Sequence, residues 1–327
     1  MKIDDRWNKW ILMGCGFFIF FLFPQIGWSF QLDPSPISWW MTPRPFSVIL
    51  YRQDLTNFYW YNAGIPPEFF SGSYSANDRS PSYLTTNSDS FQYGISLESW
   101  IIPQVQLHVD FPIEINSITN SEGVTDNLAR IGDMSLSGNF LLEGNQKSSD
   151  WMALEFHISL PTGTNPFKVA YPFLSTGTGV LETGIGGLAV QHWGLFSFFQ
   201  KVQYQQSQPL MIPSYFSIEN PGMLLKFQWP SVWSFTGRVQ YLILNRSIRP
   251  VYVFYQIYFR RDSAFLLNGN SIYGPTDVVF STIGSIIGID PWLSIELRLS
   301  YFLGKYYYAS IPGFGPQASV GLIFKPF

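Results

Sequence analysis

From Trp151 to Leu160 the chain alternates between two kinds of side chain. Met152, Leu154, Phe156, Ile158 and Leu160 fall on one side, and Ala153, Glu155, His157 and Ser159 on the other. Side chains of a strand alternate faces with period two, so this segment is a strand with one apolar wall and one polar, ionisable wall. The same pattern returns at Tyr93, Ile95 and Leu97 against Gln92, Ser96 and Glu98, then at Val105, Leu107, Val109 and Phe111 against Gln106, His108 and Asp110. Met134, Leu136 and Phe140 alternate with Asp133, Ser135, Ser137 and Asn139. Leu293, Ile295, Leu297, Leu299 and Tyr301 alternate with Ser294, Glu296, Arg298 and Ser300. Further strands are predicted over 183–193 and 195–205, joined at Gly194, and over 223–229, 232–244, 251–259, 277–288 and 318–324. Counting from Tyr93 this gives 12 strands, or 14 if 46–52 and 57–61 form an early hairpin. Both numbers are even, as in bacterial outer-membrane barrels. Residues 63–90, 116–131, 161–182 and 207–221 read as loops rich in polar residues, Gly and Pro, and the rhythm breaks between 245 and 276.

Alternation alone fits a soluble sandwich, with its apolar wall on a core, or a barrel, with its apolar wall on lipid and its polar wall on a lumen. Composition favours the barrel. Of 327 residues only 13% are charged, about half the usual share for soluble domains, while 18% are aromatic. Such a surface suits lipid, with Trp and Tyr at the interfaces. The net charge of −3 and the lack of basic runs argue against nucleic acid as a partner.

Lys2, Arg6 and Lys9, the apolar run Trp10–Phe23, and small residues at Gly27 and Ser29 read as a signal peptide over 1–29, cleaved after Ser29. The run is short for a bilayer span of roughly 20 residues, so an uncleaved anchor is the weaker reading. Removal of 1–29 takes Cys15, the only cysteine, with it. No later segment has 18 consecutive apolar residues. An exported chain of this kind crosses a membrane as a closed barrel, since only helices and closed barrels satisfy their backbone groups in lipid. The expected organisation is therefore all-β: one antiparallel transmembrane barrel over 30–327, with 30–45 as a linker or plug-like arm. Its expected place is the outer membrane of a diderm bacterium, reached by the general secretory route. The chain ends in Phe327, the aromatic end that addresses the assembly machinery through the C-terminal strand. The set Ala318, Val320, Leu322 and Phe324 is one position out of register with it, because Lys325 and Pro326 intervene.

Several short motifs occur in a distinctive order: Tyr93-Gly94, Asp110-Phe111-Pro112, Gly132-Asp133-Met134-Ser135-Leu136, Leu160-Pro161-Thr162-Gly163 and Gly177-Thr178-Gly179. This order resembles the outer-membrane barrels labelled "MetA-pathway of phenol degradation" and a related family of exported barrels of unknown function. The resemblance covers roughly residues 91–206, and Thr164 stands where those proteins usually carry Asp or Glu. It implies an outer-membrane channel or transporter, and it implies no particular substrate.

The candidate functional groups are the ionisable residues of the polar wall: Glu98, His108, Asp110, Asp133, Glu155, His157, Lys201, Arg238, Glu296 and Arg298. In a lumen they would set selectivity by charge and hydrogen bonding for small solutes, hydrophobic or aromatic ones included. Without water or partners such charges are costly to bury, so a narrow barrel would pair them. A metal site would need His108, His157 and His192 to converge from separate strands. No Gly-x-Ser-x-Gly elbow and no phosphate-binding glycine pattern occurs. The expectation is a non-enzymatic channel without cofactor or metal, in contact with outer-membrane lipid. The alternative is a non-conducting barrel whose loops bind a partner.

Overall fold

The computed structural model describes residues 46–54, 58–59, 87–119, 125–143, 150–165, 176–213, 224–244, 250–273, 275–290, 292–302 and 317–324. The expected signal peptide and the 30–45 arm lie outside them. The strands are β1 (Phe46–Asp54), β2 (Phe58–Tyr59), β3 (Asn87–Ile102), β4 (Val105–Thr119), β5 (Thr125–Ile131), β6 (Met134–Glu143), β7 (Trp151–Leu160), β8 (Glu182–Trp193) and β9 (Phe196–Ser207). They continue as β10 (Leu210–Pro213), β11 (Leu224–Gln228), β12 (Val232–Leu244), β13 (Val251–Asp262), β14 (Phe265–Leu267), β15 (Asn270–Tyr273), β16 (Thr276–Asp290), β17 (Leu293–Phe302) and β18 (Gln317–Phe324).

All pairings are antiparallel, and in the main sheet they form a circuit. From β4 the neighbours run β6, β7, β8, β9, β12, β13, β16, β17, β18, β1 and β3, and β3 pairs β4 again from Asn87↔Thr119 to Ile102↔Val105. The lower half of β4 pairs β6 and its upper half pairs β5, so β5 and β6 are two parts of one strand interrupted at Gly132-Asp133. Counted that way the wall has twelve strands.

Twelve is the expected number, with one exchange of membership. The strand expected over 223–229 leaves the wall: β11 pairs β10 and β14 in a separate four-stranded sheet, β10-β11-β14-β15. Its place in the count goes to β1, which pairs β3 and β18. Among the described residues the early hairpin is not seen: Phe58–Tyr59 pairs the start of β3, not β1. The expected loop over 116–131 is mostly strand, as is part of that over 207–221, and the break in rhythm between 245 and 276 holds the short strands β14 and β15 after β13. These segments lack the alternation of apolar and polar residues that marks the other strands, so they carry no period-two signal.

The alternation sorts the two faces as read from the sequence. Ile95, Phe156 and Leu297 are 43%, 54% and 41% exposed, whereas their neighbours Ser96, Glu155 and Glu296 are 1% exposed. A water-soluble fold has the opposite arrangement, and contiguous apolar surface on this scale marks contact with something apolar. The short connections, such as Gly194-Leu195 between β8 and β9, lie at one end of the barrel, and the long ones at the other. Toward the short-turn end Leu141, Trp151, Val190, Phe199 and Ile323 belong to one buried apolar cluster drawn from both sides of the circuit. Above the long-turn end Val180 packs with Phe227 of the small sheet and with Trp229, which follows β11.

Candidate functional site

The lumen face carries the ionisable residues in cross-strand rows. One row runs Glu98, His108, Ser137, His157 and Gly184 across β3, β4, β6, β7 and β8. Here Ser137 Oγ and His157 Nδ1 are 2.9 Å apart. Thus His108 and His157 share a row but stand two strands apart with Ser137 between them. The third histidine, His192, is exposed at the short-turn end, with its backbone N–H donating to Asp150 at 2.8 Å. Among the described residues no group of three His, Cys, Asp or Glu side chains has metal-binding geometry.

Next to that row, Gln106 donates to Glu98 and Asn139 donates to Gln106 at 2.9 Å. On the other side Ser96 donates to Asp110. Lys201 of β9 reaches across β8 to the Glu155 carboxylate on β7 at 3.0 Å. On the strand it crosses, the position level with Glu155 is Gly186 and the position level with Lys201 is Leu188, so the side chain passes from a leucine row to a glycine row, where no side chain blocks the carboxylate.

The opposite part of the wall holds the tightest cluster. Arg238 of β12 donates through Nη2 to Glu296 Oε1 at 2.9 Å, and Arg298 donates through Nε to the same oxygen at 2.9 Å. Arg238 also donates through Nε to Gln256 Oε1 at 3.1 Å. Its guanidinium lies 3.7 Å from the centroid of the Phe254 ring, a cation–π contact. Phe254 in turn sits over Gly284, where a Cβ would overlap both the ring and the Leu297 carbonyl oxygen. A glycine therefore seats the ring, the ring carries the guanidinium, and the guanidinium reaches across β13 and β16 to Glu296. Arg238 and Glu296 are both 1% exposed.

Of the ten residues expected on the lumen face, nine are on lumen-facing strand positions. Asp133 is elsewhere, in the break between β5 and β6, and its surroundings are different in kind. Its Oδ1 accepts the Gly163 N–H at 2.9 Å, and its Oδ2 accepts the Thr178 N–H at 2.6 Å and the Thr178 hydroxyl at 3.0 Å. Thr162 donates to the Gly132 carbonyl at 2.7 Å and accepts the Met134 N–H at 2.9 Å, while Thr176 donates to the Ile131 carbonyl at 3.0 Å. A Cβ on Gly177 would overlap the Asp133 carboxylate. Trp229, just after β11, donates through its indole N–H to the Thr178 carbonyl at 3.1 Å. The Gly-Asp, Thr-Gly and Gly-Thr-Gly motifs thus meet in one clasp that ties the β7–β8 connection into the strand break. A cavity of about 570 Å³ lies beside it, lined by Arg130, Ile131, Pro161, Thr162, Gly163, Thr164, Asn165 and Gly179.

Sequence reading missed several members of the buried polar set. Glu182, Arg260 and Asp262 lie at strand ends that extend beyond the predicted bounds, and Arg260 pairs with Asp262. Gln106, Asn139 and Gln256 carried the right parity and lacked only a charge. Phe254 was invisible as a functional group because an inward aromatic on an apolar strand gives no polar signal.

No family model matches the chain, and no curated protein matches it by sequence, so the phenol-degradation label stands as a resemblance. By fold the chain is similar to an outer-membrane channel from Pseudomonas putida F1, with 10% identity and a TM-score of 0.63, over 90% of this chain and 99% of that one. The β domain of a Bordetella autotransporter aligns with 7% identity and a TM-score of 0.47, over 86% of this chain and 99% of that one. The fold is that of an outer-membrane β-barrel.

Proposed function

We propose that this protein is an outer-membrane channel through which small molecules, hydrophobic and aromatic ones included, pass passively, with selectivity set by the buried lumen charges. The observation that carries this reading is the inverted distribution of side chains around a closed circuit of strands. Apolar residues face outward, while Glu98, Glu155, Lys201, Arg238, Glu296 and Arg298 face inward. A buried ion pair is weak as a source of stability, since apolar groups of similar volume commonly serve as well. A lumen lined with such pairs is better suited to handling polar or charged parts of a solute. The fold likeness to an outer-membrane channel supports the same reading.

The refolded chain in a planar lipid bilayer should give discrete conductance steps. A membrane-inserted barrel that stays electrically silent would overturn the channel reading. One observation favours the second reading, a closed barrel acting through its outer loops: the apolar cluster of Leu141, Trp151, Val190, Phe199 and Ile323 lies toward the short-turn end. Silence in the bilayer with a loop-dependent binding partner would establish it.

A further inference from the structure

We infer that Arg238 and Arg298 form a binding station for the carboxylate group of a small solute, and that Glu296 occupies this station while no solute is present. The inference rests on the reading of the barrel as a channel and adds a chemical class to it. Two guanidinium groups on different strands direct donors at one oxygen of one carboxylate, both at 2.9 Å. Guanidinium donors are matched to a carboxylate, and charge-assisted bonds of this type are about twice as strong as neutral ones. Arg238 is also placed independently of Glu296: Gln256 accepts from its Nε, and the Phe254 ring lies under its guanidinium. Gly284 fixes that ring in turn, since any side chain there would displace it. The Arg238 half of the station is therefore built into β12, β13 and β16, whereas Arg298 and the occupant both come from β17.

Exchange is the physical advantage of this arrangement. A solute carboxylate that takes the place of the Glu296 side chain preserves the number of charge-assisted bonds to the two arginines. Freeing the Glu296 carboxylate from its two partners costs energy and offsets part of the solute's gain, so the solute is held without being trapped. Fixed arginines facing an empty lumen would instead attract any anion and hold it. The Arg238–Glu296 bond passes over β13 and β16 on the inward face, so the station spans four neighbouring strands, and with both side chains buried a solute reaches it only by displacing the groups that cover it.

The test removes the resident carboxylate and supplies one in solution. Full-length Glu296→Ala, refolded in detergent, is melted in sodium acetate, in sodium chloride at equal ionic strength, and in chloride with added acetamide. Acetate should raise the midpoint with the logarithm of its concentration, as a ligand of the folded state does. Chloride and acetamide should not, and the wild type should show a smaller acetate-specific rise, because acetate there has to displace Glu296. Adding Arg298→Ala to Glu296→Ala should abolish the acetate response. If Glu296→Ala refolds only with acetate present, that also supports the station. If it refolds in neither salt, Glu296→Gln replaces it, with the same expectation in weaker form. Equal effects of acetate and chloride on the wild type, or on these variants, would leave a structural ion pair only and overturn the inference. The two readings fail separately. An acetate response with a silent bilayer keeps the station and removes the channel, and conductance without an acetate response does the reverse.

Discussion

Glu296 and Asp133 are both buried carboxylates, yet they are held by different parts of the chain. Glu296 is held by side chains, the guanidiniums of Arg238 and Arg298. Asp133 is held largely by backbone, through the N–H groups of Gly163 and Thr178. A side-chain partner can swing away by rotating a few torsions, leaving the strands unchanged. A backbone partner can leave only if its loop moves. The first arrangement suits a site that opens and closes with the passage of a solute. The second fixes the course of the β7–β8 connection where β5 and β6 break.

Glu296→Ala should have the largest effect, about 3–5 kcal/mol, because two buried guanidiniums lose their shared counter-charge. Urea unfolding in lipid vesicles measures it, and a cost below about 1 kcal/mol would show that the arginines find other partners at once. Asp133→Asn comes next, at about 1–3 kcal/mol. The amide keeps one acceptor oxygen for donors that now use two, so one buried N–H loses its partner. If this variant proved as costly as Glu296→Ala, the contrast between the two carboxylates would collapse. Glu155→Gln should cost less, about 1–2 kcal/mol, since Lys201 is the more accessible partner with a side chain 11% exposed. Its main effect should appear as a reversal potential shifted toward anions in a salt gradient, and an unchanged potential would remove Glu155 from the selectivity set. Asp150→Ala at the exposed short-turn end should cost less than about 1 kcal/mol, as exposed pairs do.

The wall of the barrel was legible in the sequence because one face of each strand meets an apolar environment along its length. Trp151–Leu160 and Leu293–Phe302 keep strict alternation, and both were placed with the correct faces. The long-turn end was harder to read for the same reason in reverse. β5, with Asn127 and Arg130 among its residues, has no lipid-facing rule to obey, so Thr125–Ile131 reads as loop until its pairing with β4 is seen. One signal there could have been used. Asn268-Gly269, between β14 and β15, is the dipeptide that favours a two-residue hairpin turn, and both residues have positive φ, at 51° and 84°. The clasp was half legible. Its motifs stood out individually, but parity assigned Asp133 to the lumen wall, because a strand break cannot be seen from alternation on either side of it. The station at Glu296 was legible in its charges and hidden in its geometry, since Phe254 and Gly284 carry no charge to draw attention.

The pairing of β1 with β18 joins segments more than 260 residues apart, from Val48↔Phe324 to Gln53↔Ser319. Every other seam of the wall can form between strands closer along the chain. This one must wait for the last strand to be delivered, and until then β1 and β17 each present a row of unpaired backbone groups. Bringing such distant segments together also carries the largest loop-closure cost in the molecule. The order of events during biogenesis is thereby constrained: the cylinder can be zipped from within, but it is locked only from its end.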